Sequence, residues 1–201
     1  PALGAEGKDY LQRILGAAGR MRTLIQDLLT LSRVTSKARP FVPVDLAVVA
    51  REVLADLEVR IAETSAQIDV GALPVIAADP VQMRQLFLNL LGNALKFRAE
   101  GRSPRIAVSA VVSGDRLEIA FADDGIGFDD KYVDRIFKPF QRLNPSGRYP
   151  GTGIGLAICR KIVERHGGVL RAKSAPGEGA TFTASLPLSP SRADEGDAEI
   201  R

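Results

Sequence analysis

The chain has 201 residues, 45% hydrophobic and 25% charged, with a formal net charge of +3, which suits one or two globular domains with real cores. Basic and acidic residues are interspersed, with no basic block and no aromatic-basic interleaving, so a nucleic-acid partner is excluded. No apolar run nears the ~20 residues of a membrane span and no signal peptide opens the chain, so no membrane insertion is expected.

Pro1-Ala2-Leu3 reads as a cut inside a longer protein. From Tyr10 the apolar positions Tyr10, Ile14, Ala17, Met21, Leu24, Leu28 and Leu31 fall at alternating spacings of four and three, an a/d heptad seam. Leu11, Leu15, Ile25 and Leu29 flank it, and Arg13, Arg20, Arg22, Gln26 and Asp27 fill the other face. One helix cannot bury so wide a stripe against itself, so the pattern predicts a bundle between chains. The plainer reading is an amphipathic helix packed on the domain that follows.

Lys37-Ala38-Arg39-Pro40 breaks the pattern, and Pro40 and Pro43 predict an extended linker. Asp45 stands ready to cap a helix over 46–63, with Leu46, Val49, Val53, Leu54 and Leu57 on one face. Short strands are predicted around Ile68 and Val75. Asp79-Pro80, an N-cap followed by proline at the first helical position, starts a helix through VQMRQLFLNLLGNALKF. RIAVSAVV and RLEIAFAD read as strands joined by Ser113-Gly114-Asp115. A loop-rich middle leads to a helix over 154–166, ended by Gly167-Gly168, in which Cys159 reads as core. As the only cysteine it permits no internal disulfide and predicts a reducing, cytoplasmic setting. Two last strands, VLRAKS and ATFTASLPL, are joined by Pro176-Gly177-Glu178-Gly179, and the polar, acid-rich tail from Ser189 is expected to be disordered. Helices and hairpins segregate rather than alternate, which predicts an α+β sandwich.

Four stretches carry chemistry. In YPGTGIGLAI three glycines alternate before an apolar run, and a glycine-rich turn opening a helix favours an anion. It is not the dinucleotide fingerprint, because Leu156 stands where the third glycine belongs, and no Gly-Lys-Ser/Thr follows as a P-loop requires. In NLLGNALKF, Asn89, Asn93 and Lys96 fall on one helical stripe. Such a stripe is either the polar edge of a surface helix or a holder for a metal-phosphate group. In ADDGIGF, the strand-end Asp123 can accept from the exocyclic amine of adenine and would repel the carbonyl of guanine. Gly125 and Gly127 would let the base approach; a plain Asp-Gly turn is the alternative. In IFKPFQRL, Phe137 and Phe140 flank Pro139 as an anchor for a lid, Gln141 to Pro150, whose Arg142 and Arg148 can reach phosphate or, for Arg148, solvent.

Together and in this order, the four stretches resemble the N, G1, F and G2 boxes of the sensor histidine kinase ATP-binding domain, a member of the superfamily that includes gyrase B, Hsp90 and MutL. The likeness covers almost the whole chain. YLQRILGAAGRMRTLIQDLLTLSRV resembles the second helix of that family's dimerisation and histidine-phosphotransfer domain. KFRAEGRSPRIAV and YPGTGIGLAICRKIVERHGG are most similar to phytochrome-type kinases.

The resemblance implies a two-layer α/β sandwich of the Bergerat type preceded by one long helix. Residues 1–36 would be that helix, 37–43 a linker, 44–188 the catalytic ATP-binding domain and 189–201 the tail. It implies an ATP-dependent protein-histidine kinase that uses Mg²⁺. Asn89, Asn93 and Lys96 would be catalytic, with Asn93 on the metal and Lys96 on phosphate. Asp123, Gly125, Gly127, Phe137, Arg142, Gly151, Thr152, Gly153, Gly155 and Leu156 would bind the nucleotide, Asp123 at adenine and the last glycines at the phosphates. The implied partners are a second copy, joined through the helical bundle, and the receiver domain of a response regulator.

Two features depart from the family pattern. Asp124 occupies a position that is usually Asn, where it either crowds the base and metal or faces solvent. The family's phosphoacceptor histidine lies on a helix that would precede Pro1. His166 is no substitute, because one helix puts it roughly 20 Å from Gly153, whereas in-line transfer needs about 3.5 Å. The hydrolases of the superfamily place a water-activating glutamate where this chain has Asn89, a poor base at any pH. The sequence therefore predicts a domain that holds ATP without rapid hydrolysis and hands its γ-phosphate to an outside histidine. The rival reading is a non-catalytic nucleotide-binding or dimerisation module; a serine-directed kinase is disfavoured by the heptad helix and short linker.

Overall fold

The computed structural model describes residues 4–36, 39–143, 149 and 151–188. The heptad pattern forms α1, Ala5–Ser36, a helix of 32 residues. Its seam lies in solvent, with Ile14 64% and Met21 61% exposed. Near its end the helix meets the rest of the fold, where Val34 is buried and Leu31 half-buried against the core.

Two sequence expectations are corrected in the segment that follows. The end of the extended linker is a strand, β1 (Val42–Asp45), paired antiparallel with β3 (Val75–Ala78), so that Pro43 faces Ala77. Proline cannot donate to a ladder, and a two-stranded sheet made only of edges tolerates it. The helix expected over 46–63 is two helices, α2 (Leu46–Asp56) and α3 (Glu58–Thr64). The chain turns at Leu57 (φ −96°, ψ 2°), which keeps that side chain in the core. The turn also brings Arg60 within 3.1 Å of the Gly92 carbonyl.

The remaining elements are β2 (Gln67–Val70), α4 (Pro80–Lys96), β4 (Arg105–Ser113) and β5 (Arg116–Asp123). A 3-10 turn over Asp130–Tyr132 leads into α5 (Val133–Ile136), inside the stretch read as loop. Then come α6 (Gly155–Arg165), β6 (Val169–Ser174) and β7 (Ala180–Pro187). Five strands form a sheet in the order β2-β4-β5-β7-β6, antiparallel except for the β2-β4 pair. The period of two turns Leu117, Ile119 and Phe121 to one face. Against these strands lie α4, with Leu86, Phe87, Leu90 and Leu91, and α6, with Ile158, Ile162 and Val163, all of them buried. Each such side chain contributes about 1.5–3 kcal/mol by leaving water. The result is the two-layer α+β sandwich that the sequence predicts.

The buried Asp79 sets how α4, α6 and the segment after α1 meet. Its Oδ1 caps α4 by accepting from the N–H groups of Val81 (3.0 Å) and Gln82 (3.3 Å). Its Oδ2 accepts from the Arg39 N–H (2.9 Å) and from Arg165 (3.4 Å). The Asp79 N–H donates to Nε2 of His166 at 3.1 Å, while Nδ1 of that ring lies 2.7 Å from the Ile162 carbonyl. His166 is therefore neutral with its proton on Nδ1, and burial lowers its pKa, outweighing the bond to the Ile162 carbonyl. Phe41 stacks on His166 at 4.5 Å and carries Arg165 over its ring at 4.6 Å. Gln82 donates to the Val34 carbonyl at 2.9 Å, which ties in α1.

Asp79→Ala is expected to cost about 3 kcal/mol, because it removes a cap and breaks a buried ion pair. Asp79→Asn, which keeps the cap acceptor, should cost less. Urea unfolding read by circular dichroism checks both values.

Candidate functional site

The stripe predicted from spacing exists. Asn89, Asn93 and Lys96 project from α4 into a cavity of about 240 Å³. β5 delivers Asp123 at its last residue, and α6 delivers Gly155 and Leu156 at its first turn. Gly127, Arg142, Gly151, Thr152 and Gly153 complete the predicted residues in the same wall.

Two predicted site residues stand outside the lining. Gly125 lies beneath it, where its N–H donates to Asp123 Oδ1 at 2.9 Å. Phe137 is 6% exposed and meets Phe182 edge-on at 6.4 Å, so its ring belongs to the core. Its neighbour Ile136 faces the cavity instead. Arg148 and the other predicted lid residues at 144–147 and 150 lie outside the described residues, as does the tail from Ser189.

The two charged ends of the site are both perturbed. Burial pushes the Asp123 carboxyl up to about 6, opposed by N–H groups of Gly125 and Ala180 and reinforced by the nearby Asp124. Burial also brings the Lys96 ammonium down to about 8, with Arg142 and Arg60 adding repulsion. The departure at Asp124 is resolved by geometry. Its carboxylate turns away from the cavity, accepts from the Arg105 N–H at 2.8 Å and pairs with Arg102. Desolvation raises this group, and the Arg105 amide and Arg102 together outweigh it, holding it below the usual carboxylate range.

The glycine turn is explained partly by the protein itself. A Cβ on Gly151 would come within 2.6 Å of Lys96 Nζ. Gly153 has φ +78°, and a Cβ there would meet the Gln141 carbonyl at 2.8 Å. Glycine thus lets the loop pass between the ammonium and the chain after α5. The helix it opens differs from α2 and α4. Asp45 caps α2 and Asp79 caps α4, yet no side chain caps α6, whose first turn lines the cavity. Its first N–H groups have no partner within the helix and suit an anion.

The sequence left several wall residues unread. Ile126, Phe128, Ala180 and Phe182 supply an apolar wall, and Phe97 and Tyr149 face each other at 5.2 Å. Arg142 donates to the Tyr149 carbonyl at 2.9 Å. Asp27 comes from α1: it lines the cavity and accepts from the Thr152 hydroxyl at 2.5 Å. Its only sequence signal was a place on the polar face of the heptad helix.

An apolar slot with a carboxylate, an uncapped helix and cations around it thus sits in an α+β frame, and the sequence places that frame in a known group. Residues 78–190 match the histidine kinase-, DNA gyrase B- and HSP90-like ATPase family, and the chain belongs to it. That span takes in every cavity residue except Asp27.

Within the family the chain lies with the sensor histidine kinases. It is 40% identical over 187 residues to phytochrome-like protein Cph1 of Synechocystis sp., covering 93% of this chain and 25% of that protein. The structure of full-length ShkA in complex with AMPPNP superposes with a TM-score of 0.73 at 28% identity, covering 95% of this chain and 41% of that one. The nucleotide-free catalytic domain of histidine kinase ThkA gives 0.65 at 26% identity, over 76% of this chain and 98% of that one. The chain spans about a quarter of the length of its curated phytochrome relatives. Among the described residues, no helix is long and apolar enough to cross a membrane.

Proposed function

We propose that this cavity binds ATP with Mg²⁺ and passes the γ-phosphate to a histidine outside these residues, for relay to a response-regulator aspartate. The observation that carries this reading is the joining of three features in one cavity: the Asp123 acceptor, the uncapped start of α6, and Lys96 with Arg142. The AMPPNP in the ShkA complex supports it by analogy. The lone histidine, His166, is 4% exposed with both ring nitrogens engaged, which disqualifies it as the acceptor. Pairing of two copies through the exposed seam of α1 and a cytoplasmic setting, suggested by the lone free cysteine, belong to the same reading.

In this scheme the ionised Asp123 accepts from the adenine amine while the apolar wall around Phe128 and Phe182 excludes water from the base. The N–H groups at the start of α6 and the Lys96 ammonium face the phosphates. Phosphoryl transfer asks for little beyond such positioning and charge neutralisation. Mg²⁺ fits the donors present. Asn93 offers an amide oxygen, and no group of three or more His, Cys, Asp or Glu among the described residues forms a cage. An ion held by one or two protein oxygens plus phosphates is the usual Mg²⁺ arrangement, and when bound it neutralises phosphate charge. Asn89 offers no base for water, which favours transfer over hydrolysis.

The test is calorimetric titration of ADP and adenosine at several pH values. Lys96 is charged below about 8 and neutral above it. ADP affinity should therefore fall about tenfold between pH 7 and pH 9. ADP binding at pH 8 should take up protons, since phosphate raises the ammonium pKa again. Adenosine should show neither effect. ADP that binds no tighter than adenosine at pH 7 would refute the phosphate site.

A further inference from the structure

We infer that Gln85 is a positioning residue for phosphate binding, acting through Asn89 on the first turn of α6. This inference rests on the nucleotide reading above. Asn89 Nδ2 donates to the Gly155 carbonyl at 3.2 Å, and its Oδ1 accepts from Gln85 Nε2 at 3.0 Å. The direction of this chain follows from chemistry. The Gly155 carbonyl can only accept, so Asn89 must face it with its NH₂. The Asn89 oxygen then faces Gln85, which must present its own NH₂.

Gln85 lies one turn before Asn89 on α4, and both side chains are half-buried. No other element supplies a cap for α6. The bond across to Gly155 ties the first turn of α6 to α4. A trans peptide unit carries its C=O and N–H on opposite sides. The plane whose oxygen is held by Asn89 therefore also sets the aim of the Leu156 N–H, one of the helix donors without an intrahelical partner. The Cys159 thiol, pushed up to about 12 by burial and so neutral, lies against the same Asn89 amide and puts no charge there. Without the Gln85 donor the Asn89 oxygen loses that partner, and the amide is free to swing out of line with the Gly155 carbonyl, which weakens the contact.

The experiment measures ADP and adenosine affinity by calorimetry for the full chain, Gln85→Met, Asn89→Ala and the double variant. Gln85→Met should leave adenosine binding unchanged and weaken ADP about tenfold, the worth of one oriented hydrogen bond. Asn89→Ala should lose at least as much, and the double variant no more than Asn89→Ala alone, because both act through one contact. A general packing role would weaken adenosine equally, and that result overturns the inference, as does wild-type ADP affinity in Gln85→Met. Should circular dichroism show Gln85→Met unfolded, Gln85→Glu decides. It is close in shape and cannot donate when ionised, so the same tenfold ADP loss is expected and undiminished ADP binding overturns the inference. Equal affinity for ADP and adenosine in the unaltered chain would defeat the phosphate reading itself, and this inference with it.

Discussion

Asp123→Asn is expected to weaken ATP binding about a hundredfold while leaving the melting temperature no lower. In the scheme proposed above the carboxylate accepts from the adenine amine, whereas an amide at this position can turn its own NH₂ toward that amine. A lost charged hydrogen bond and a buried group left unmatched together reach this size. Stability moves the other way. Burial raises the Asp123 carboxyl from 3.8 to about 6, so between these values the folded chain binds more protons than the unfolded one. Folding stability therefore falls as pH rises through that window, and the neutral amide removes this term. The Gly125 N–H keeps its acceptor in the variant. In the unaltered chain, ATP affinity should fall as pH drops through about 6, where the acceptor protonates; in Asp123→Asn it should stay flat there. Calorimetry with ATP and GTP checks the assignment: equal affinity for the two nucleotides, or an unaffected variant, would remove adenine recognition from Asp123.

Asn93→Ala should abolish phosphoryl transfer, by about 10²–10³-fold, without unfolding the domain. The apolar face of α4 is built from Leu86, Phe87, Leu90, Leu91 and Leu95, none of which the change touches. The Asn93 carbonyl continues to accept from Phe97, and alanine has the better helix propensity. What disappears is the only oxygen in the wall proposed for the metal, and with it the charge neutralisation that phosphoryl transfer requires. The assay supplies radiolabelled ATP and a separate histidine-bearing helical hairpin, and counts acid-labile label. Normal transfer by Asn93→Ala would show that the metal is held elsewhere. Label on the chain itself, lost on His166→Ala, would contradict the burial of that ring.

The polar half of the site was legible because its residues recur at helical or turn spacing within short stretches: Asn89, Asn93 and Lys96, or Gly151, Gly153 and Gly155. The apolar half was not. Phe128 and Phe182 look in sequence like any core residues, and they come within 6.4 Å of each other in the fold, where Ser174 of β6, the partner of β7, accepts from the Phe128 N–H. Phe137 is the converse, a residue with a motif's signature whose ring the packing claims. The break at Leu57 and the strand at Pro43 also depend on partners distant in sequence, the core under α3 and the edge of β3. Local propensity carries no signal for either. Asp27 lay furthest from view, since its role depends on where the end of α1 rests on the rest of the fold.

That resting place has a thermodynamic consequence. The Thr152 hydroxyl has one proton, and in this arrangement the Asp27 carboxylate holds it. An anion arriving beside Thr152 meets a like charge carried by α1. Two occupants that disfavour each other at one place do so symmetrically. Whatever factor the seated helix takes from the affinity of an anion, the bound anion takes from the seating of the helix.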